Sequence, residues 1–279
     1  MKILITGGNS YIARNIEPLL EQMGHIVIAP SHEEFDLLYR QQVIDCIHNQ
    51  SFDAIIHTAA IGGSRHKTDT FDEAYLKNIQ MFENLCSAID GMNIPVIIFG
   101  SGAEYDRRTS IQELPEAEIY RRWPIDPYGL AKNIITRRAN DFEKMYVFRL
   151  FSCFNHNEPT TRFIRSSIFN LKRGFPIEIY QNRMMDFFYL DDVVTVIDHI
   201  LKNGGPGQIN LVYNQKIDLL GIASLIHKYV GIFEPTVVVH LTGDGPSYTG
   251  CADTLYKLSI VSNLIGLEDG IRRTCNKLL

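Results

Sequence analysis

Five runs along the first half of the chain are close to continuously apolar: KILIT (2–6), HIVIA (25–29), AIIHT (54–58), PVIIF (95–99) and YVFRL (146–150). A strand that is apolar on both faces must be covered on both faces. The segments between these runs supply the cover. After the first run, Ile12, Ile16, Leu19, Leu20 and Met23 recur at helical spacing, with Pro18 expected to kink or weaken that helix. Further helices are predicted over 41–50, 72–89 and 127–144. Strands alternating with helices give an α/β chain built on a doubly wound, Rossmann-type parallel sheet.

Beyond about residue 151 the texture changes. A polar loop (152–161) and an amphipathic helix (162–173) are followed by short segments broken by Gly174, Pro176, 204–207 and 243–246. This reads as a smaller, mixed substrate-binding lobe formed by 151–185 and 216–279. The dinucleotide-binding domain then comprises 1–150, with a returning segment at about 186–215.

A formal net charge of −5 offers no positive field to nucleic acid. The five cysteines form no CxxC pair, and the chain begins directly on a strand without a signal-peptide pattern, so a cytoplasmic protein is expected. No run of eighteen apolar residues suggests a membrane span. His156, Asn157 and Glu158 do not complete a metal-ligand set, so no metal is expected. Cys153 reads as packed rather than reactive.

In a doubly wound sheet, ligands bind outside the carboxyl ends of the strands. The first strand ends there in Thr6-Gly7-Gly8-Asn9-Ser10-Tyr11-Ile12-Ala13. Gly7, Ser10 and Ala13 are small residues at the spacing that lets backbone approach a pyrophosphate, and Tyr11 and Ile12 open the following helix. The second strand ends at Ser31 and His32 with no acid for the ribose hydroxyls. That favours NADP slightly, with NAD also admissible; plain turn residues are the other reading. Asp36 and Leu37 are placed to meet the adenine, and Thr58, Ala59 and Ala60 give room at the end of the third strand.

The segment Tyr128-Gly129-Leu130-Ala131-Lys132 carries the chemistry. Residues four apart share a helix face, so a phenol and an ammonium stand together. A phenol with an ordinary pKa of ~10 is a poor base, but a neighbouring cation favours its phenolate. The pair becomes a reversible proton donor and acceptor. Ser101, after the fourth strand, offers a hydroxyl to orient a carbonyl, or caps a turn. Asn78, inside the helix 72–89, is either an active-site or a solvated residue.

Together these segments resemble the extended short-chain dehydrogenase/reductase family, also called the NAD-dependent epimerase/dehydratase family. The likeness runs from Met1 to about Asp192 and includes Arg149-Leu150-Phe151-Ser152 and the stretch 186–193, DFFYLDDV. It implies an oxidoreductase on nucleoside-diphosphate sugars with Ser101, Tyr128 and Lys132 catalytic, supported by Asn78. Its nearest branch is that of the GDP-fucose synthase-like reductases. In that branch the helices 72–89 and 127–144 would form a homodimer interface, although the residues themselves do not reveal an oligomeric state.

The 4,6-dehydratases of this family carry an Asp-Glu pair where this chain has Gly102 and Ala103. The Cys and His that epimerise beside the ketone would fall at Ala103 and near Phe163. With those proton movers absent, the expectation is hydride reduction of a 4-keto sugar. Glu104, offset by one, is expected to face the other way. A 4-epimerase with retained NAD is the alternative, and a non-catalytic dinucleotide-binding protein a second one. Arg183 is a candidate clamp for the substrate pyrophosphate. Arg65, His66 and Lys67 lie in a loop that would meet phosphate or sugar, or only water. Arg107-Arg108 and Arg121-Arg122 read as solvated.

Overall fold

The computed structural model describes residues 1–63, 68–232 and 236–279. In chain order it runs β1 (Lys2–Thr6), α1 (Tyr11–Gln22), β2 (Ile26–Ile28), α2 (Arg40–Asn49), β3 (Ala54–His57), α3 (Lys77–Ile89), β4 (Val96–Ser101), β5 (Ile111–Leu114), α4 (Pro127–Ala139) and β6 (Met145–Leu150). There follow β7 (Cys153–Phe154), α5 (Phe163–Lys172), β8 (Ile177–Gln181), β9 (Phe188–Tyr189), α6 (Leu190–Asn203), β10 (Gln208–Leu211), α7 (Leu219–Val230), β11 (Val237–Leu241), β12 (Tyr248–Gly250), α8 (Asp253–Tyr256) and α9 (Leu267–Leu278). The segment 64–67, with Arg65, His66 and Lys67, lies outside the described residues.

The chain divides into two compact units. The first holds Met1–Arg107, Glu116–Arg149 and Val196–Ile209; the second holds Arg108–Pro115, Leu150–Thr195 and Asn210–Leu279. The six-stranded sheet has the order β10-β6-β4-β3-β1-β2. The pairs β1–β2, β1–β3 and β3–β4 are parallel. On one face Leu4, Ile55, Ile98 and Val147 pack with Val43 and Ile47 of α2 and Phe82 and Leu85 of α3. By strand alternation Ile3 and Ile5 point to the opposite face, and both are also fully buried. The sheet is therefore covered on both sides, as the unbroken apolar runs require. Truncating one such side chain, Ile55→Ala for instance, would cost about 2–5 kcal/mol.

Three elements depart from the sequence expectation. Helix α1 runs through Pro18, which sits with Arg14 on the exposed face, so the carbonyl deprived of its donor lies on the solvent side. The helix predicted over 72–89 begins with a π-helical turn, Phe71–Leu76. There the Asn78 side chain donates to the Ala74 carbonyl at 2.6 Å, competing with the backbone for it. The helix predicted to reach 144 ends at Ala139. Asn140 to Phe142 bond to carbonyls three residues back, and the Asn140 amide also donates to Thr136 and Arg137 carbonyls, closing the helix early.

The second unit is assembled from parallel strand pairs, β5–β12, β7–β9 and β8–β11, with helices α5, α7 and α9. The chain passes between the units on either side of 108–115, at the end of β6, within α6 and within β10.

Candidate active site

The strand order reverses beside β1, whose neighbours β2 and β3 lie on opposite sides, and the turns at this switch point build the first half of the site. Gly7 has φ of 73°, and a Cβ there would fall 2.8 Å from the Ala59 Cα. A Cβ at Gly8 would fall 2.2 Å from the Ala29 carbonyl oxygen. Positions 7 and 8 therefore admit only glycine, and they leave backbone where side chains would otherwise stand. Ser10 caps α1 by accepting the Ala13 N–H at 3.1 Å. Thr58 commits its proton to the Thr6 carbonyl, so the 2.8 Å contact between the two hydroxyls has Ser10 as donor. Tyr11 and Ile12 form the first turn of α1, whose terminus favours negative charge. Ala60 follows in the same β3 turn. A cradle shaped in this way fits a dinucleotide pyrophosphate.

Beyond β2 no acid stands at Ser31 or His32, but a carboxylate three residues on from Ser31 turns back to this segment. Glu34 accepts the Ser31 N–H at 2.8 Å, and hydrogen bonds to Ser31 hold its carboxyl below the usual range. The His32 ring is exposed and 4.0 Å from the Asp36 carboxylate. Asp36 accepts the Leu38 N–H, while the Leu37 side chain is buried in the core cluster. Any ligand contact at Leu37 falls to its backbone.

The second half of the site is built on β4 and α4. Asp126 caps α4 through the Gly129 N–H at 2.8 Å and pairs with Arg107 at the same distance, with Pro127 opening the helix. Lys132 is buried and donates to the Phe99 carbonyl at 2.8 Å. Its Nζ lies 6.0 Å from the centre of the Tyr128 ring. Burial pushes its pKa down to about 8, against the opposing pull of Glu104. On β3, His57 is also buried, with Nδ1 2.7 Å from the Thr6 hydroxyl. Burial and the Lys132 charge push His57 down to about 3, so it is neutral. Gly63 lies against the phenol; a Cβ there would meet the Tyr128 Cζ at 2.9 Å.

Ser101 is the cap of the short turn Gly102–Glu104: its hydroxyl accepts the Ala103 N–H at 3.1 Å. A hydroxyl that accepts in this way still has its proton to donate, so capping and orienting a carbonyl are compatible. Asn78 is buried rather than solvated; it accepts the Ile61 N–H at 2.9 Å and donates to the Ile61 carbonyl at 2.7 Å. Glu104 turns back to Ser101, whose backbone N–H its Oε1 accepts at 2.7 Å. It is fully buried and paired with Arg149, with NH2–Oε2 at 2.7 Å.

Arg183 belongs to the second unit, is half-buried, and approaches the Met185 sulfur at 4.0 Å. Phe163 opens α5 in the same unit, its ring 6.2 Å from that of Phe187. Cys153 is buried, and burial raises its thiol pKa. Glu158 accepts the Arg165 N–H at 2.9 Å, and no cluster of three metal-ligating side chains occurs among the described residues.

Glycine cradle, strand-end serine and a Tyr–Lys pair on one doubly wound sheet define a nicotinamide-dinucleotide oxidoreductase scaffold of the short-chain type. The sequence matches the NAD dependent epimerase/dehydratase family over residues 3–214, and the chain belongs to that family. It is 25% identical to GDP-L-colitose synthase of Yersinia pseudotuberculosis over its whole length and 98% of that protein. Its fold is similar to that of the GDP-mannoheptose C4 reductase from Campylobacter jejuni, solved with NADP bound (TM-score 0.82, 17% identity, 99% of this chain and 97% of that one). It is also similar to that of the UDP-glucose 4-epimerase from Thermotoga maritima, solved with UDP-glucose (TM-score 0.80, 19% identity, 100% and 98%). No helix among the described residues is long and apolar enough to cross a membrane.

Proposed function

We propose that the protein reduces a 4-keto sugar carried by a nucleoside diphosphate, with NADPH as hydride donor. The observation that carries this is the buried Lys132 ammonium, anchored on the Phe99 carbonyl beside Tyr128. The bound cofactor supplies a hydride to the carbonyl carbon. Tyr128 gives its proton to the carbonyl oxygen, so hydride and proton together make the alcohol, and Lys132 stabilises the phenolate left behind. Ser101 donates its hydroxyl proton to the same oxygen and fixes the carbonyl for attack. Asn78 holds the backbone after β3. Gly7, Ser10, Tyr11, Ile12, Thr58, Ala59 and Ala60 hold the pyrophosphate and ribose; Ser31, His32, Asp36 and Leu37 hold the adenosine end. Arg183 is the candidate partner of the substrate's own pyrophosphate. Five unpaired thiols fit a reducing cytoplasm, and a homodimer through α3 and α4 remains part of the proposal.

The likeness to the GDP-mannoheptose C4 reductase supports reduction at carbon 4. Ala103 and Phe163 cannot ionise, and Glu104 is held by Arg149, so protons on carbons 3 and 5 should stay in place. The test has two arms. NADPH consumption is followed at the nicotinamide band with a panel of 4-keto-6-deoxy sugar nucleotides, and Tyr128→Phe should abolish it while cofactor affinity holds. In deuterated water the product should carry no enzyme-dependent deuterium at carbons 3 and 5. Deuterium there would reveal an unrecognised base. A 4-epimerase with retained NAD uses the same residues, and the Glu34 carboxylate at the ribose end is the observation that favours it. That enzyme would interconvert sugar nucleotides without net NADPH consumption.

A further inference from the structure

The turn after β4 contains a buried ion pair that the hydride and proton steps do not use. Glu104 and Arg149 are both fully buried, with Nε–Oε2 at 2.8 Å and NH2–Oε2 at 2.7 Å. The other carboxylate oxygen, Oε1, accepts the Ser101 N–H at 2.7 Å. Arg149 is itself held by Gln208 at 3.0 Å and sits 5.2 Å from the centre of the Tyr105 ring. Gly100 is bound into the same arrangement, because a Cβ there would fall 2.4 Å from Glu104 Oε1. The backbone of the turn is tied to the helix that carries the phenol. The Glu104 carbonyl accepts from Asn133 at 2.9 Å, and the Ala103 carbonyl lies so close to Gly129 that a Cβ there would fall 2.4 Å away.

A buried ion pair is rarely the cheapest way to fill a core; an apolar pair of similar volume often stabilises as well or better. What this pair provides is direction. One oxygen holds the guanidinium of β6, the other the amide of the residue whose hydroxyl faces the substrate. We propose that Glu104, locked by Arg149, is a positioning residue that holds the Ser101 hydroxyl in register with Tyr128 and Lys132. The inference rests on the reductase reading for its kinetic arm only.

Besides Tyr105 and Glu116, which act on Arg149, the charged and titratable groups around this centre come from three elements. Arg149 on β6 faces Glu104; Lys132 and Tyr128 come from α4, and His57 from β3. Glu104 is the negative charge that opposes the fall of the Lys132 pKa. Acting through this charge as well as through Ser101, Glu104 should influence the pH profile.

In Glu104→Gln the single amide oxygen cannot serve both Arg149 and the Ser101 N–H. Turnover of a GDP-linked 4-keto-6-deoxyhexose with NADPH should fall ~10-fold, with KM for NADPH within about 2-fold of wild type. The alkaline fall in turnover should move to lower pH. At a pH well below that fall, where Lys132 is charged in every variant and Glu104 acts through Ser101 alone, the double variant Ser101→Ala/Glu104→Gln should be within about 2-fold of Ser101→Ala. A folded Glu104→Gln with wild-type kcat and pH profile, or effects that multiply in the double variant, overturns the proposal. Glu104→Asp covers a failure of the Gln variant to fold; it keeps the charge, draws the carboxylate back and should show a smaller loss of kcat. Hydrogen exchange at the 100–103 amides reads the same geometry without any substrate. Faster exchange at Ser101 in either variant supports the proposal, and unchanged exchange rejects it. Wild-type protein inactive on every sugar nucleotide would count against the reductase reading and leave the exchange result to decide this one.

Discussion

Two lysines, Lys132 buried and Lys216 largely so, show how differently this chain treats the same group. In the second unit, Lys216 donates to both Asp186 oxygens at 3.0 Å and to the Gly250 carbonyl at 2.8 Å, while Gly250 N–H returns a bond to Asp186 at 2.8 Å. All three ammonium protons are used. Nearby in sequence, Asp192 is equally filled, by Tyr213, Ile265 and Gly266. In the first unit Lys132 has one acceptor among the described residues, the Phe99 carbonyl, and the Tyr128 ring beside it. A buried cation with every donor satisfied ties segments together. One with donors in hand is costly to stability and is available to a ligand.

Exchanging each lysine for methionine gives the sharpest contrast. Lys132→Met should lower turnover ~100-fold or more with the melting temperature held or raised, since it removes an incompletely paired buried charge. Lys216→Met leaves Asp186 without its cation and should cost about 3–5 kcal/mol in denaturant unfolding, with turnover of the folded fraction near wild type. If the two variants trade signatures, the distinction between the two sites is lost.

The pH dependences should also separate. The Lys132 ammonium, with its pKa lowered to about 8, is present below that pH and lost above it, so reductive turnover should fall as pH rises through 8. The unfolded chain keeps the proton up to 10.5, so this group makes folding stability rise between about 8 and 10.5. Asp186 runs the other way. Burial raises its pKa to about 6 from 3.8, so its contribution to stability is full below 3.8 and is lost as pH rises through 6. Unfolding midpoints measured across both windows should lose the lower slope in Asp186→Asn and the upper one in Lys132→Met.

The smallest expected effect lies at the edge of the first unit. Glu34 is exposed, and its carboxylate occupies the Ser31 N–H that a 2′-phosphate would use. Calorimetry should show NADPH binding more tightly than NADH, and Glu34→Gln should widen that preference by roughly 3- to 10-fold, about one charge-assisted hydrogen bond. A preference for NADH in the wild type would instead favour the epimerase reading.

The parts of the fold that were legible in the sequence are those coded locally. Strands 2–6, 54–57 and 96–101 are apolar runs that can sit only in a covered sheet, and Tyr128 and Lys132 share a face by spacing alone. What was missed depends on distant partners. The strand Ile111–Leu114 is four residues with no clear pattern; it forms by pairing with Tyr248–Gly250, well over a hundred residues away, so 108–115 joins the second unit. The π-helical turn and the early end of α4 come from single asparagines, Asn78 and Asn140, whose side chains take backbone carbonyls. Glu34 and Glu104 did leave a local signal. Ser31-His32-Glu33-Glu34 and Ser101-Gly102-Ala103-Glu104 both spell the capping box, in which the fourth residue reaches back to the first residue's N–H. Read that way, Glu104 could be assigned to Ser101 from sequence.

The space at Gly100 has a consequence for how this lineage can change. While Glu104 stays, Gly100 admits no side chain; once Glu104 is lost, only the end of the Val147 side chain, 2.9 Å from a Cβ at 100, still has to shift, and any residue then accepted there would stand where the carboxylate must return. Reversion would require position 100 to be restored first. The three positions 100, 104 and 149 should therefore be inherited as a block, and departures from it should run in one direction, as a ratchet does.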